Sequence, residues 1–184
     1  YARTPNIDKL ARQGTRFTQY YSNGATCCPA RTALMTGKFC ASFQKYPADH
    51  GFGTSVTVTE LLGQAGYRTG HFGKWHIGLT FRDKAGEPIK KFGLDAVHEV
   101  DFSRRIEGGP LDHGFDRFFG TACCPTTDWL YAFIENDRVP VPPAGPLDKS
   151  KLPQHPYAND CRPGLIATNF PMEEVDLVFL KKSR

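Results

Sequence analysis

Apolar residues recur with helical spacing in four parts of the chain. This spacing predicts helices over residues 5–13, 29–37, 57–66 and from 171 towards the end of the chain. Thr57 and Glu60 form a capping box at the start of the third helix, which is therefore the best defined of the four.

Two other parts of the chain have the pattern of strands. Aromatic and β-branched residues predict a strand over residues 15–21. Residues 67–72 predict a second strand, which leads into a polar stretch at residues 73–78. Helices that alternate with strands are typical of a layered α/β fold, in which polar side chains at strand ends form sites.

Two longer regions show no sustained period. Residues 79–112 predict an irregular excursion with one short hairpin. Residues 139–171 contain eight prolines, which exclude long helices and central strands. We therefore expect an extended, Pro-rich surface segment over residues 139–171.

The composition narrows the class of protein. The chain has 184 residues, of which 40% are hydrophobic and 23% charged, and this excludes disordered and collagen-like proteins. No apolar run approaches the roughly 18 residues that would cross a bilayer. The net charge of +4 is spread along the chain, unlike the clustered patch of a nucleic-acid-binding protein. The six cysteines include two adjacent pairs, which are awkward for simple disulfide bridging.

A first candidate for chemistry lies where the second predicted helix begins. Cys27 and Cys28 precede Pro29, and Arg31 follows one helical turn after Cys27. Backbone amides at a helix N-terminus, together with a nearby guanidinium, lower a thiol pKa and favour an anionic ligand. The alternative is that the cysteine packs in the core and Arg31 pairs with a surface carboxylate.

A second candidate follows the strand predicted over residues 67–72. Alternation places Lys74 and His76 on one side of the chain and Trp75 on the other. Lysine can neutralise an oxyanion, and histidine can exchange a proton near neutral pH. The alternative is a solvated lysine beside a hydrogen-bonded structural histidine.

Other chemistry-bearing residues have less support. Asp128, Trp129 and Tyr131 are expected to pack in the core, with lining of a substrate pocket as the alternative. No zinc-type spacing links the later cysteines to a histidine, so no structural zinc site is expected. Three histidines are expected to be ordinary core or surface residues: His50, His71 and His98.

Two stretches of the chain, taken together, resemble the two sequence signatures of the sulfatase family. The first signature, Cys-x-Pro-x-Arg, is matched by Cys-Cys-Pro-Ala-Arg at residues 27–31. The second is matched by Gly-Tyr-Arg-Thr at residues 66–69 and Gly-Lys-Trp-His-Ile-Gly at residues 73–78. Residues 4–11 and 113–120 add further matches.

The resemblance implies a fold. It is an α/β sandwich of the alkaline-phosphatase type, with a mixed sheet flanked by helices. Residues 1–184 are expected to be part of the N-terminal catalytic domain, truncated at both ends.

The resemblance also implies a sulfuric ester hydrolase that uses a formylglycine hydrate as nucleophile. By this resemblance, Cys27 is converted to formylglycine and Arg31 holds its hydrate. Lys74 neutralises the sulfate oxygens, and His76 helps to remove a proton from the hydrate. Cys28 occupies a variable position of the signature.

A cofactor and partners are implied as well. The family typically binds calcium, and Cys27, as formylglycine, is the metal ligand expected in this chain. The other ligands are expected outside it, so the isolated chain is expected to be inactive. The implied partners are a sulfated saccharide or aryl sulfate and a formylglycine-generating enzyme. Ala30 stands where the family usually has serine, which is expected to weaken recognition by that enzyme. Family members are commonly exported or lysosomal.

Two other functions stay open at this point. A catalytically silent relative would only bind anionic ligands. A hydrolase of phosphate or phosphonate esters would have the same fold, because the tetrahedral anion of its substrate is similar to that of a sulfate ester.

Overall fold

The structure is a computed structural model that describes residues 2–90 and 93–184, apart from the side chains of residues 48, 49 and 157. The helices are α1 (Pro5–Gln13), α2 (Cys27–Thr36), α3 (Pro47–His50), α4 (Val58–Gln64), α5 (Leu94–Glu99), α6 (Pro156–Asp160) and α7 (Val175–Lys182). The strands are β1 (Gly70–Lys74), β2 (Arg117–Thr121), β3 (Leu130–Tyr131), β4 (Ile134–Glu135), β5 (Gly145–Pro146) and β6 (Leu165–Ile166). In this described part of the chain, no helix combines the length and the apolar character needed to cross a bilayer.

The strands form two small mixed sheets. Their orders are β1-β2-β4 and β3-β6-β5. β1 runs parallel to β2, from Gly70 opposite Arg117 to Lys74 opposite Thr121, and β4 is antiparallel to β2. In the second sheet, β6 is parallel to β3 and antiparallel to β5. Mixed sheets flanked by helices confirm the predicted α/β class.

The pairing between β1 and β2 continues past the end of β1. The Trp75 N–H donates to the Thr121 carbonyl oxygen at 3.0 Å, and the His76 N–H donates to the Ala122 carbonyl oxygen at 2.9 Å. The residues after both strands therefore run side by side. Parallel strands end at the same edge of a sheet, which is where polar side chains can meet.

Aromatic side chains form much of the core around the first sheet. Trp75 and Phe118 are each 0% exposed. The rings of Phe119 and Phe133 lie 5.0 Å apart, and Phe179 of α7 packs edge-on against both, at 6.4 and 6.0 Å. Full burial of a phenylalanine contributes roughly 1.5–3 kcal/mol, and the partly buried Phe179 gains part of this by packing α7 on the sheet.

Several predicted helices are confirmed. α1 has the predicted bounds, and α4 has the predicted capping box: the Thr57 N–H donates to Glu60 Oε2 at 2.6 Å, and the Glu60 N–H donates to Thr57 Oγ1 at 3.4 Å. α2 begins at Cys27 rather than at Pro29, and α7 begins at Val175 rather than at Pro171.

The strand predicted over residues 15–21 is wrong. These residues form bends or lack regular structure, and Phe17, Tyr20 and Tyr21 are 73%, 69% and 77% exposed. A strand is stabilised by hydrogen bonds and side-chain pairs with a neighbouring strand. In the described structure residues 15–21 pair with no strand. No neighbouring strand therefore stabilises the extended conformation that their composition favours.

The second predicted strand begins three residues later than expected, at Gly70. The reason lies just before it, where the Thr69 N–H donates to Asp116 Oδ2 at 2.7 Å and the Asp116 N–H donates to the Thr69 carbonyl oxygen at 3.0 Å. This pair fixes the point at which β1 and β2 start to run together. The register is therefore set by residues distant in sequence.

Residues 79–112, apart from residues 91–92, which lie outside the described part, contain more structure than predicted. An isolated antiparallel bridge between Arg82 and Pro88 corresponds to the expected hairpin. Arg82 also forms a bidentate ion pair with Glu107, with nitrogen–oxygen distances of 2.8 and 2.9 Å. α5, which lies in this region, has too short an apolar pattern to be predicted.

The Pro-rich residues 139–171 are not purely an extended surface segment. β5, β6 and α6 lie within them, and Cys161, Ala167 and Phe170 are only 3%, 3% and 5% exposed. β6 is missed from the sequence because its partner, β3, lies far upstream.

Candidate active site

The first turn of α2 exposes one cysteine and buries the next. Cys27 is exposed, whereas Cys28 is 1% exposed, with its Sγ 3.8 Å from Thr32 Oγ1. Burial raises the pKa of the Cys28 thiol. Of the two thiols, Cys27 is therefore the one placed to react at the helix N-terminus, where backbone amides favour an anion.

Arg31 connects α2 to the end of β1. Its Nε donates to the Trp75 carbonyl oxygen at 2.7 Å, and its Nη2 donates to the Lys74 carbonyl oxygen. These carbonyls take the place of the surface carboxylate considered from the sequence. Burial lowers the pKa of Arg31, with the Cys27 thiol opposing it, yet a guanidinium stays charged at neutral pH. Because both acceptors are neutral, the charge of Arg31 is not cancelled by them and acts on the space around Cys27.

The Lys74 ammonium lies between two thiols. Its Nζ donates to Cys124 Sγ at 3.2 Å and also interacts with the Cys27 thiol. Burial lowers the pKa of Lys74, but the two thiols raise it more, so the net shift is upward and the ammonium keeps its proton. The structure thus brings together Cys27, Arg31 and Lys74, although they come from a helix start and a strand end.

His76 is placed by a turn rather than by strand alternation. β1 ends at Lys74, and His76 has a φ of 55°, in the left-handed region. Trp75 packs in the core, while His76 lines a cavity beside Ala122 and Cys123. His76 and Trp75 therefore lie on opposite sides, as predicted. The cause is the local backbone turn at His76 and not strand alternation.

Gly78, the last residue of the second signature, is required for steric reasons. Its φ is 44°, and a Cβ at this position would lie 2.1 Å from the Gly51 nitrogen. A side chain would push apart the two backbone segments that cross here. Both segments contribute to the wall of the cavity, since His50 and Gly78 line it.

His71, which sequence patterns leave among the ordinary histidines, lies beside Arg31. Its Nε2 donates to the Lys74 carbonyl oxygen at 3.0 Å and lies 3.5 Å from Arg31 Nη2. Its ring contacts Trp75 and Phe115 edge-on, at 5.6 and 5.3 Å between centroids. Burial, helped by the charge of Arg31, lowers the pKa of His71 to about 4, so the ring is neutral at pH 7. His71 therefore positions the carbonyl that Arg31 binds.

His71→Gln is expected to weaken the pH dependence of stability. The ring has a pKa of about 4 in the folded chain, whereas an unfolded histidine titrates near about 6.5. Between these values the unfolded state binds more protons, so the free energy of unfolding falls as the pH is lowered from about 6.5 to about 4. His71 accounts for at most roughly 3 kcal/mol of that fall.

Urea unfolding of this chain and of His71→Gln, at about pH 7.5 and about pH 4.5, measures the difference. His98→Gln is the matched control, because His98 is exposed, and it should keep the wild-type pH dependence. His113, whose pKa is also lowered by burial, keeps part of the fall in every variant. An unchanged pH dependence in His71→Gln would show that His71 does not titrate as the structure implies.

The loop after β2 adds two cysteines to the site. Burial raises the pKa of Cys124, but hydrogen bonds from Thr127 and Lys74 lower it more, and the net shift is downward. Burial and the nearby Asp128 carboxylate raise the pKa of Cys123. Of these two cysteines, Cys124 is therefore the one whose thiol ionises more readily, and its sulfur contacts the Lys74 ammonium. Sequence reasoning missed Cys124, because only the pairing of β1 with β2 brings it to Lys74.

A cavity of about 1040 Å³ extends from His76. Its walls are mostly apolar and include Ile77, Leu79, Phe81 and Trp129. Pockets that hold small organic ligands have volumes of about 300–1,000 Å³ and mainly apolar walls with a few polar groups. The cavity is therefore large enough for a small organic ligand.

Charged side chains around the cavity are mainly cationic. Lys45, Lys90 and Arg162 are exposed residues of its lining. Among the described lining residues, Asp128 is the one carboxylate. An excess of positive charge at a cleft attracts anionic substrates.

The described residues do not by themselves form a calcium site. Calcium takes six to eight oxygen ligands, mostly carboxylates and carbonyls. In the described part of the chain no three or more His, Cys, Asp or Glu side chains are grouped to hold a metal, and the charged neighbours of Cys27 are Arg31 and Lys74.

Comparison with known proteins decides the family. The Sulfatase family model matches residues 1–149. The chain belongs to the sulfatase family. The predicted family is thus confirmed.

Curated sulfatases resemble the chain over most of its length. It is 35% identical over 140 residues to steryl-sulfatase of Mus musculus, an alignment that covers 68% of this chain and 19% of the relative. It is 42% identical over 146 residues to arylsulfatase A of Homo sapiens, which covers 76% of this chain and 27% of the relative. The chain spans about a fifth to a quarter of the length of these sulfatases.

A solved structure also matches this sulfatase chain. That structure is described in connection with the metabolism of multiple glycosaminoglycans by Bacteroides thetaiotaomicron. The two are 32% identical with a TM-score of 0.55, and the match covers 74% of this chain and 26% of the other. The likeness confirms a partial sulfatase fold, while the roles of Cys27, Arg31, Lys74 and His76 stay predictions.

Proposed function

We propose that an enzyme containing this chain hydrolyses sulfate esters through a formylglycine derived from Cys27. The observation that carries the proposal is the meeting of the exposed Cys27 with two cations, Arg31 and Lys74, at the N-terminus of α2. A sulfate ester brings a negative charge and several acceptor oxygens, which this arrangement matches.

The reaction needs two hydroxyl groups on one carbon. One hydroxyl of the formylglycine hydrate attacks sulfur while the bond from sulfur to the ester oxygen breaks, and the alcohol leaves with a proton. The second hydroxyl then loses its proton, the carbon–oxygen double bond re-forms, and sulfate leaves as its bond to that carbon breaks. Water adds to the aldehyde and restores the hydrate.

The side chains of this site have distinct tasks in that sequence. Lys74 neutralises charge on the sulfate oxygens, and Arg31 fixes the end of β1 and adds its own charge. His76 accepts the proton that the hydrate loses. The N-terminal amides of α2 hold the anion that forms on the residue at position 27.

Substrate, partners and location extend the proposal. We expect sulfated saccharides or aryl sulfates as substrates, in line with the names of the relatives, and an exported or lysosomal location as the family resemblance implies. The exposure of Cys27 supports access by a formylglycine-generating enzyme. We further propose that calcium binds with formylglycine as one ligand and that its other ligands lie outside this chain, so that the isolated chain is inactive.

Peptide mass spectrometry tests the modification. The chain is produced together with a formylglycine-generating enzyme, and the peptide that contains positions 27 and 28 is analysed. We expect the thiol of Cys27 to be replaced by an aldehyde while the thiol of Cys28 stays. A Cys28→Ala variant confirms which residue has changed, because it should be converted to the same extent.

Turnover then separates the competing functions. An enzyme that contains this chain should hydrolyse an aryl sulfate in preference to the corresponding aryl phosphate. Preference for the phosphate would favour a phosphoesterase. An unconverted Cys27 with no turnover of either ester would favour a silent relative that only binds anions.

A further inference from the structure

Two cysteines that are distant in sequence contact the same cation. The Lys74 Nζ lies 3.2 Å from Cys124 Sγ and also forms a hydrogen bond with the Cys27 thiol. Cys27 belongs to the first turn of α2, whereas Cys124 lies in the loop that follows β2. Two sulfurs that contact one nitrogen are separated by no more than two such contacts placed end to end. The fold therefore brings these two thiols together around Lys74.

Both thiols are free and open to small reagents. Cys27 is exposed and Cys124 is partly exposed, and neither forms a disulfide within the described structure. A cation beside a thiol stabilises the negative charge that sulfur carries when it reacts, and accessible thiols in such surroundings are the ones that oxidise. Arg31 adds a second positive charge, because its guanidinium interacts electrostatically with both thiols. These are the surroundings of reactive cysteines rather than of cysteines packed in a core.

The backbone around Cys124 allows the two sulfurs to close the remaining distance. A disulfide holds its sulfurs about 2.05 Å apart, so both side chains must turn towards each other. Residues 122–129 form bends and turns, with no helix or strand to fix them. The exposed Cys27 side chain can change its rotamer, and the Lys74 ammonium lies at the end of a flexible stem that can move from between the sulfurs.

The neighbouring cysteines are poorer partners for Cys124. Cys28 is 1% exposed, so its sulfur lies in the core. Cys123 is adjacent in sequence, and a disulfide between adjacent residues distorts the peptide group that joins them. The carbonyl oxygen of that group accepts a hydrogen bond from the Thr121 hydroxyl at 2.7 Å, which resists the distortion. Cys27 is therefore the partner that the structure favours.

We propose that Cys27, before its conversion, and Cys124 form a reversible disulfide when hydrogen peroxide oxidises the pair. The Cys124 thiolate attacks one peroxide oxygen, the oxygen–oxygen bond breaks, and a sulfenic acid and hydroxide form. The Cys27 sulfur then attacks the Cys124 sulfur, so that the sulfur–sulfur bond forms and the sulfur–oxygen bond breaks. The two hydroxides take up the two thiol protons. In sum, two thiols and one peroxide give one disulfide and two water molecules.

The disulfide competes with the proposed maturation, and this consequence alone rests on the proposed function. Formylglycine forms from a free thiol at position 27, so a chain that carries the disulfide cannot be converted until a thiol reductant opens it. Conversion in turn removes the sulfur of Cys27, so the mature enzyme cannot form the disulfide. Cys124 thereby places the step that creates the nucleophile under redox control.

Peptide mapping after oxidation tests the disulfide. An enzyme that contains this chain is produced without a formylglycine-generating enzyme, treated with hydrogen peroxide, alkylated and digested with trypsin without reduction. We expect the peptide of residues 17–31 to be linked to the peptide of residues 118–138, and dithiothreitol should remove the link. Unlinked peptides, or a sulfinic acid on Cys124 beside a free Cys27 thiol, would overturn the proposal.

Single substitutions identify the two sulfurs, because each peptide contains two cysteines. Cys27→Ser and Cys124→Ser should each lose the link completely. Cys28→Ala and Cys123→Ser are the matched controls, and each should keep it. A link that survives in Cys124→Ser, or a disulfide confined to the peptide of residues 118–138, would assign the chemistry to Cys123 and contradict the proposal.

Conversion in cells tests the consequence separately. The wild type and Cys124→Ser are each produced with a formylglycine-generating enzyme, with and without added peroxide. Peroxide should lower the converted fraction of the wild type, while Cys124→Ser keeps its own. An equal loss in both would overturn the redox control. A disulfide in a protein whose position 27 is never converted, even in Cys124→Ser without any peroxide, would support the disulfide and contradict the proposed function.

Discussion

We expect Cys27→Ala to lower the kcat of an active enzyme containing this chain by roughly four orders of magnitude or more. Alanine cannot become an aldehyde, so no hydrate forms and the covalent route is closed. Because Cys27 is exposed, the free energy of unfolding should change by less than about 0.5 kcal/mol. Steady-state turnover of an aryl sulfate and urea unfolding measure the two effects.

Cys28→Ala is the matched control for this variant. Cys28 is 1% exposed and packs against Thr32, so its loss should cost about 1 kcal/mol of stability. Turnover should stay within about threefold of the wild type, since the Cys28 thiol is buried against Thr32 and cannot act as the nucleophile. Full activity in Cys27→Ala would refute the proposed nucleophile, whatever the result for Cys28→Ala.

Arg31→Ala should reduce both activity and stability. The Trp75 carbonyl oxygen loses the Arg31 donor, and the Lys74 carbonyl oxygen keeps only that of His71; a buried acceptor left unsatisfied costs roughly 1–3 kcal/mol. The end of β1 then loses its connection to α2, and with it the position of the Lys74 ammonium relative to Cys27. We expect kcat to fall by roughly 10²- to 10³-fold, which is the range for removing one positioned hydrogen-bond donor from an active site.

Arg31→Lys separates charge from geometry. An ammonium keeps the charge but cannot donate from a rigid fork to two carbonyls, so we expect it to recover only a small part of the activity. Arg12→Ala removes an exposed guanidinium from α1 and should have no effect on kcat or on unfolding. Wild-type turnover in Arg31→Lys would show that the two carbonyl contacts of Arg31 do not matter.

The parts of the fold that could be predicted are those with local causes. The capping box of Thr57 and Glu60 places α4, and Pro5 with the following apolar spacing places α1. The two signatures identified the family because each spans several residues in a fixed order. In segments such as α1 and α4, residues close in sequence determine the backbone conformation.

The remaining parts depend on partners that lie far away in sequence. Residues 15–21 have the composition of a strand, yet no strand lies beside them in the described structure. β1 begins at Gly70 because the contact between Thr69 and Asp116 sets its register with β2. No local pattern contains that information.

The candidate site also contains residues that local motifs predict and residues that depend on distant partners. The motifs predict Cys27, Arg31, Lys74 and His76, and the structure brings the first three together. Cys124, the contact of Lys74, and His71, which supports the carbonyl that Arg31 binds, were not predicted. Both depend on how β1 packs against its neighbours.

A serine at position 27 tests the central claim most directly. In Cys27→Ser the hydroxyl can attack sulfur, but there is no second hydroxyl on the same carbon to expel the sulfate. With an aryl sulfate we predict release of about one phenol per enzyme molecule, after which turnover stops and mass spectrometry finds the sulfo group on the side chain at position 27. Continuous turnover, or a sulfo group on any other residue, would contradict the account.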